Sequence, residues 1–349
     1  MSTGPSRYHA LKVRSAVEET HDSKSIVFDI PAADAASFRY KPGQFLTLRL
    51  PIAGRHVPRC YSMASAPALD DGLRVTVKRV AQGRGSNWVC DHLQAGDTVE
   101  VLPPSGVFTP RSLDGDFLLL AGGSGITPVF SILRSALAAG QGRITLIYAN
   151  RDDRSVIFRQ ELNALAGAHP QRLTVIHWLD SVQGVPSVAQ LAELAMPFRK
   201  GQAFICGPGP FMDACVAALQ GIEMDSTQIH VERFASLPDE EDTASASAAA
   251  IAPADGVDIA EIEISHQGQL HRISCGGHET ILEVALRQGI DLPYSCQAGM
   301  CASCMCQIVE GKVHLRVNDV LDKKDLAKGW ILACQAVPTS AQVRVKFAE

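Results

Sequence analysis

The chain has 349 residues, 46% of them hydrophobic and 20% charged, a composition that suits a soluble globular protein of two or three domains. No apolar run approaches the roughly 20 residues that span a bilayer, and the start Met1-Ser2-Thr3-Gly4-Pro5-Ser6-Arg7-Tyr8 lacks the basic-then-apolar pattern of a secretion signal, so a cytoplasmic location is expected. The net charge is −5 and residues 237–258 hold six acids and no base; the rest is nearly balanced, without the basic excess of a nucleic-acid binder.

Residues 8–110 read as short alternating stretches, Ser25–Asp29, Gln44–Leu50, Leu73–Arg79 and Asp97–Leu102, separated by turn signals such as Asp71-Gly72 and Pro103-Pro104. This predicts an antiparallel β-barrel. Within it lie Arg59-Cys60-Tyr61-Ser62, Val77-Lys78-Arg79 and Gly83-Arg84-Gly85-Ser86-Asn87. An arginine can pair bidentately with a phosphate, a tyrosine can stack on a flat ring, and Gly-Ser amides can hold a pyrophosphate. Taken singly, Arg59 could equally be a surface charge and Tyr61 an ordinary barrel residue.

From about residue 113 the pattern changes to strand, glycine turn, helix, strand. Phe117–Ala121 and Ile144–Ala149 are continuous apolar runs, Thr127–Ala139 has helical spacing, and Leu173–His177 and Ala203–Cys206 supply further buried strands. Alternating β and α units predict a parallel sheet with helices on both faces. Gly122-Gly123-Ser124-Gly125-Ile126-Thr127-Pro128 follows the first strand, with Thr127 as a candidate cap and Pro128 in the first helical turn. Cys206-Gly207-Pro208-Gly209-Pro210-Phe211-Met212 forms a second glycine turn after a strand. Glycines let the backbone approach a pyrophosphate, and helix N-termini favour anions. One such turn could be merely structural; two at the carboxyl ends of parallel strands favour a dinucleotide. Asn150-Arg151-Asp152-Asp153-Arg154 offers both an acid, which favours a ribose diol, and arginines, which favour a 2′-phosphate.

Residues 237–258 run from Leu237-Pro238-Asp239-Glu240-Glu241-Asp242 into alanines and serines, then Pro253 and Gly256. This reads as a flexible linker with a reach on the order of 25 Å. Beyond it, Cys296, Cys301, Cys304 and Cys334 give C-x4-C-x2-C and a distant fourth cysteine, the spacing of a plant-type 2Fe–2S site. Zinc is the rival ligand for four thiolates, but this is not a usual zinc spacing. A disulfide framework is the other alternative, disfavoured by the missing secretion signal. Strands Ala260–Ser265, Leu270–Ser274 and Val343–Phe347 with helix Ile281–Gln288 predict an α+β β-grasp fold, with Cys306 pointing away as a strand residue and Cys275, Cys215 and Cys90 as buried small hydrophobes.

The order of these pieces resembles the ferredoxin–NADP reductase superfamily from Tyr8 to about Ser236, and plant-type ferredoxins over about 259–349. The resemblance implies a flavin β-barrel over 1–112, an NAD(P)-binding α/β domain over 113–236, a linker over 237–258 and a 2Fe–2S domain over 259–349. It implies that Arg59 to Ser62 meet the flavin phosphate, ring and N5 edge, and that Gly83 to Asn87 sit on its pyrophosphate, with Val77, Lys78 and Arg79 also at the cofactor. It also implies that Gly123, Ser124, Gly125, Thr127, Pro128, Asn150, Arg151, Cys206, Gly207, Pro208, Phe211 and Met212 meet the nicotinamide nucleotide. Ser62, Cys206 and Glu232 are the expected catalytic residues, and Phe234, ending His230-Val231-Glu232-Arg233-Phe234, is expected near the flavin face. FAD is implied more strongly than FMN.

A flavin takes a hydride and releases single electrons, so the three parts together form a two-to-one electron converter. The domain order resembles reductase components of bacterial multicomponent oxygenases. Tyr148 to Phe158 and Val317 to Leu321 are most similar to the reductases of 3-ketosteroid 9α-hydroxylases, which implies FAD, NADH rather than NADPH, and a Rieske oxygenase as partner. The reductases of phenylacetyl-CoA epoxidases share the layout and serve a di-iron partner. A cluster-bearing redox sensor is the alternative from another class. A monomer is expected, with neither nucleic acid nor membrane as partner.

Overall fold

The computed structural model describes residues 8–233, 259–297, 299, 301–318, 320–321 and 323–347. The expected linker and Phe234 lie outside the described residues. Those described fall into two compact units, one on each side of the linker.

The first unit opens with six antiparallel strands: β1 (His9–Thr20), β2 (Ser23–Asp29), β3 (Phe45–Ile52), β4 (Arg55–Ser62), β5 (Leu73–Lys78) and β6 (Thr98–Ser105). They run in the order β4-β3-β6-β1-β2-β5. A bridge between Met63 and Val75, with Ala64 N–H donating to the Arg74 carbonyl at 2.7 Å, brings the two ends of the sheet together as a barrel. Alternate residues face inward: Leu11 and Val13, Ile26 and Phe28, Leu46, Leu48 and Leu50, Val75 and Val77, Val99 and Val101 are all buried, which is the period of two that a half-buried strand imposes. The sequence pattern did not reveal β1. Its register slips between Val13 and Ser15 and again between Glu18 and Thr20, and such bulges break the alternation. Helix α1 (Arg84–His92) closes one end, with Val89 and Cys90 in the barrel core.

A five-stranded parallel sheet follows within the same unit. Its elements are β7 (Phe117–Gly122), α2 (Ile126–Ala139), β8 (Ile144–Asn150), α3 (Arg159–Ala168), β9 (Leu173–Leu179), α4 (Asp180–Gln183), α5 (Val188–Ala195), β10 (Gln202–Cys206), α6 (Gly209–Gly221) and β11 (Ile229–Glu232). The order β11-β10-β7-β8-β9 reverses direction between β7 and β10, and such a switch point leaves a crevice outside the strands' carboxyl ends. Two bidentate ion pairs clasp sheet to barrel. Arg134 meets Asp70 at 2.5 and 2.9 Å, and Arg74 meets Glu161 at 2.9 and 3.2 Å.

In the second unit β12 (Ile259–His266), β13 (Gln269–Gly276), α7 (Ile281–Arg287), β14 (Met305–Glu310), β15 (Val313–Leu315), α8 (Lys323–Ala327), β16 (Trp330–Leu332), β17 (Ala336–Pro338) and β18 (Gln342–Phe347) follow in turn. The main sheet runs β13-β12-β18-β14-β16, with β12 and β18 parallel and the other pairs antiparallel. A capping box between Thr280 and Glu283 starts α7, whose Ile281, Leu282, Val284 and Ala285 are buried in the core beneath the sheet. This is the β-grasp arrangement. Among the described residues no helix is long and apolar enough to cross a membrane.

Candidate functional site

Strand β4 delivers Arg59, Cys60, Tyr61 and Ser62 to the mouth of the barrel. Gly83 to Asn87 form the N-terminal turn of α1, with Gly83 at the cap and no side chain capping it. Helix N-termini of this kind favour anions. Arg59 lies over Gly85, where a Cβ would come within 2.7 Å of the Arg59 Cγ. Guanidinium and helix start are therefore neighbours, a cradle that fits a phosphate. The Ser86 hydroxyl and Asn87 amide are engaged with Val80, accepting from its N–H at 3.1 Å and donating to its carbonyl at 3.2 Å. They brace the turn, leaving ligand contact to the backbone. Val77 is 1% exposed and its side chain belongs to the barrel core. Burial pushes the Tyr61 phenol up, away from ionisation.

Across the unit, the two glycine turns meet backbone to backbone. A Cβ on Gly125 would stand 2.2 Å from the Cys206 carbonyl oxygen, and one on Gly207 2.9 Å from the Gly122 nitrogen. Only glycine permits this approach. Gly123 to Gly125 form a 3-10 turn and α2 begins at Ile126 with Gly125 as its cap. Thr127 is therefore not the cap: it sits inside the helix, its hydroxyl donating to the Ser124 carbonyl at 3.1 Å. Pro128 is buried in the first turn. The Phe211 ring packs against both turns, whereas Met212, 2% exposed, is turned into the core. Tyr148, whose place in the sequence suggested no positioning role, donates its hydroxyl to the Gly123 carbonyl at 3.0 Å and accepts from Ile157 N–H at 3.3 Å, so it fixes the first turn from below.

At the carboxyl ends of β8 and β9 stand two buried polar groups in need of a partner. Asn150 approaches the Tyr148 hydroxyl, but neither its Nδ2 nor its Oδ1 has a partner of hydrogen-bond geometry among the described residues. Asp180 Oδ1 is in the same condition, and burial raises its carboxyl. Unsatisfied buried polar atoms are costly, and these two stand at the ends of neighbouring parallel strands.

The three expected catalytic residues come together. Ser62 Oγ donates to Glu232 Oε2 at 3.2 Å, and Glu232 lies beside Cys206 in the β10–β11 register. Burial pushes the Glu232 carboxyl up to about 8, against the pull of the Ser62 hydrogen bond. Burial, reinforced by Glu232, likewise holds the Cys206 thiol well above its ordinary value.

In the second unit Cys296, Cys301, Cys304 and Cys334 are all buried. They lie close to one another. Cys296 N–H donates to Cys301 Sγ at 3.4 Å, while the sulfurs of Cys304 and Cys334 are in hydrogen-bond contact. Gln297, Gly299 and Ala302 all have positive φ, at 55°, 79° and 55°, a backbone that curls amides toward an anionic centre. Ser303 Oγ is 3.2 Å from Cys301 Sγ, and Gln335 Nε2 donates to Cys334 Sγ at 3.7 Å. Leu282 N–H donates to the Ala333 carbonyl and Ala333 N–H to the Cys304 carbonyl, each at 3.0 Å, which ties the distant cysteine to the others. Four buried thiols at the plant-type spacing fit a two-iron cluster. Zinc remains disfavoured by the spacing, since C-x4-C-x2-C with a remote fourth cysteine is not a usual zinc pattern. Cys306 is buried on β14, and all ten cysteines are free, so the disulfide alternative falls away.

Three family models match: an oxidoreductase FAD-binding domain over residues 10–109, an oxidoreductase NAD-binding domain over 119–217 and a 2Fe-2S iron-sulfur cluster binding domain over 264–339. The ferredoxin reductase component of 3-ketosteroid-9-alpha-monooxygenase from Rhodococcus rhodochrous is 50% identical over 343 residues, covering 98% of this chain and 97% of that one. Its counterpart from Mycobacterium tuberculosis is 48% identical over 346 residues, covering 97% and 96%. A component of 1,2-phenylacetyl-CoA epoxidase from Escherichia coli is 35% identical over 357 residues, covering 97% and 98%. Among solved structures, phthalate dioxygenase reductase, described as modular for electron transfer from pyridine nucleotides to [2Fe-2S], matches with a TM-score of 0.59 at 25% identity, over 97% of this chain and 98% of that one. The chain belongs to the family of FAD- and NAD-binding oxidoreductases with a 2Fe–2S domain that includes the ferredoxin reductase components of 3-ketosteroid-9-alpha-monooxygenases.

Proposed function

We propose that this chain takes hydride from NADH and delivers single electrons to the oxygenase component of a Rieske-type ketosteroid 9α-hydroxylating system in the cytoplasm, a reducing compartment that suits ten free cysteines. The observation that carries the reading is the meeting of two glycine turns, Ser62 and Glu232 at one crevice, on a chain that also carries four buried thiols at the plant-type cluster spacing. Bound FAD supplies the chemistry that accepts two electrons together and releases them one at a time.

The chain's own residues bind and orient. Arg59 and the first-turn amides of α1 would hold the flavin's phosphate, Tyr61 would stack on its ring, and Ser62, whose hydroxyl donates to Glu232, would stand at the ring's N5 edge. Cys206 and Glu232 border the nicotinamide, while the α2 and α6 turns take the dinucleotide's pyrophosphate. Asn150 and Asp180 meet a ribose diol, which favours NADH. Cys296 with Cys301 and Cys304 with Cys334 each take one iron. We assign the flavin domain to 1–112, the nucleotide domain to 113–236, the tether to 237–258 and the cluster domain to 259–349.

The layout shared with the Escherichia coli epoxidase component keeps a di-iron oxygenase as the second reading of the partner. An anaerobic NADH titration tests the core of the proposal: flavin absorbance should bleach first and cluster absorbance with it, in a chain holding two irons and two sulfides. Flavin bleaching in a chain free of iron would refute the cluster assignment. Reconstitution with purified Rieske and di-iron oxygenases, scored by product formed per NADH, decides the partner.

A further inference from the structure

A fully buried phenol in the parallel sheet has no part yet in the proposed function. Tyr148, on β8, packs in the same core as Ile126, Val129 and Phe130 of α2. Burial pushes its hydroxyl up, so it stays a neutral donor. Two sharply turned segments end on that hydroxyl. Gly123, whose carbonyl it meets at 3.0 Å, has a φ of 52°, in the left-handed region. Ile157, whose N–H it accepts at 3.3 Å, precedes Phe158, a left-handed residue with a φ of 58° at the cap of α3. The phenol is thus a strut between the loop after β7 and the loop after β8.

What the strut does to the turn follows from the peptide unit itself. A planar trans peptide directs its C=O and its N–H to opposite sides. With the Gly123 carbonyl drawn inward onto Tyr148, the N–H of that same peptide, which belongs to Ser124, is turned outward. Gly123 and Ser124 are the partly exposed residues of the turn, whereas Gly122 and Gly125 are buried, so outward is the open side. The Gly123 carbonyl also accepts from the Ile126 N–H, but that donor is divided between the Gly123 and Ser124 carbonyls. The phenol gives the peptide an undivided partner and fixes its tilt. The next carbonyl is held as well, Ser124 accepting from the Thr127 hydroxyl at 3.1 Å. An N–H aimed at a phosphate oxygen makes a charge-assisted bond, which depends on direction as well as distance. We propose that Tyr148 is a positioning residue for the dinucleotide: by drawing in the Gly123 carbonyl, it aims the Ser124 N–H at the pyrophosphate of NADH. The proposal rests on the reading that the α2 turn takes the pyrophosphate.

The test uses the full, flavin-loaded chain and the variant Tyr148→Phe, which keeps the ring and removes only the hydroxyl. In stopped-flow reduction of the flavin, the NADH concentration giving half the maximal rate should rise about tenfold, the scale of one hydrogen bond to a charged group. The maximal rate itself should stay within twofold. In deuterated, 15N-labelled protein, ADP-ribose should move the Ser124 amide proton downfield in the parent and leave it in place in the variant. Stability is not the readout, because Ile157 loses its acceptor in either case. An unchanged half-saturating concentration, or a Ser124 shift that persists without the hydroxyl, overturns the proposal and leaves Tyr148 a merely structural residue. Should Tyr148→Phe fail to fold, the parent still decides: a Ser124 amide unmoved by ADP-ribose refutes the idea. The two possible failures are told apart in the same spectra. If ADP-ribose moves Gly125 or its neighbours but not Ser124, this proposal alone fails; if it moves no amide of residues 122–127, the pyrophosphate reading of the turn fails with it.

Discussion

Replacing Glu232 by glutamine isolates the most strongly perturbed carboxyl in the crevice. Its ordinary value is 4.5, and burial beside Ser62 moves it to about 8. As pH rises through 4.5 the unfolded chain loses this proton while the folded one keeps it. The folded state is therefore penalised progressively between pH 4.5 and about 8, and by a constant amount above. At about 1.4 kcal/mol per tenfold, the full gap is worth about 5 kcal/mol. Glu232 is only partly buried, so water screens the charge, and about 2 kcal/mol is the expected effect. Glu232→Gln should then be more stable than the parent by about that amount at pH 8.5 and no more stable at pH 4.5. For a unit of this size that is a rise in Tm of about 4–8 °C, seen only at the alkaline end. Stopped-flow reduction of the flavin by NADH should slow above about pH 8 in the parent, where a negative charge forms in the path of the arriving hydride, and stay level in the variant. A Tm difference equal at both pH values, together with an unchanged kinetic profile, would refute the reasoning.

Gly125→Ala places a methyl 2.2 Å from the Cys206 carbonyl oxygen and 2.6 Å from the Gly207 nitrogen. Backbone atoms on both sides cannot yield as a side chain would, so the turns must separate. Equilibrium titration should show NADH binding weakened at least tenfold with flavin content retained. Asp70→Asn breaks the bidentate pair with Arg134 between barrel and sheet and should cost about 2–3 kcal/mol in urea unfolding at neutral pH. Burial alone would raise the Asp70 carboxyl, but the Arg134 hydrogen bonds and the Ala66 N–H outweigh it and hold it below 3.8. Its contribution is thus present above 3.8 and lost as pH falls through the lowered folded value, below which parent and variant should converge.

The sheet strands with unbroken periods were legible in the sequence, and so were all four buried thiols, because those signals are local. Features made by distant parts of the chain were not. Two register slips hid β1, and the strand β9 was expected to stop at His177, two residues before its end at Leu179. Asp180 therefore did not read as a residue at the mouth of the sheet. Nothing near Arg151 in sequence announces its ion pair with Asp22, and Tyr148 looks like any apolar strand residue until its hydroxyl meets Gly123. Thr127 carried the composition of a cap, but the 3-10 turn before it gave that place to Gly125. Met212 and Val77 lie within motifs yet face their cores, since a motif specifies spacing along the chain and packing specifies direction.

The main-chain bonds from Leu282 through Ala333 to Cys304 give the cysteine frame a scaffold that side-chain replacement leaves in place. Side chains on that scaffold also meet the sulfurs: Cys301 Sγ donates to Ser303 Oγ, and Gln335 Nε2 donates to Cys334 Sγ. Reduction potential follows the hydrogen bonds a cluster receives, so in this lobe exchanging Ser303 should shift the voltage at which electrons leave, whereas Gln335, which also donates to the Gln297 carbonyl at 2.9 Å, couples that voltage to the shape of the cysteine loop.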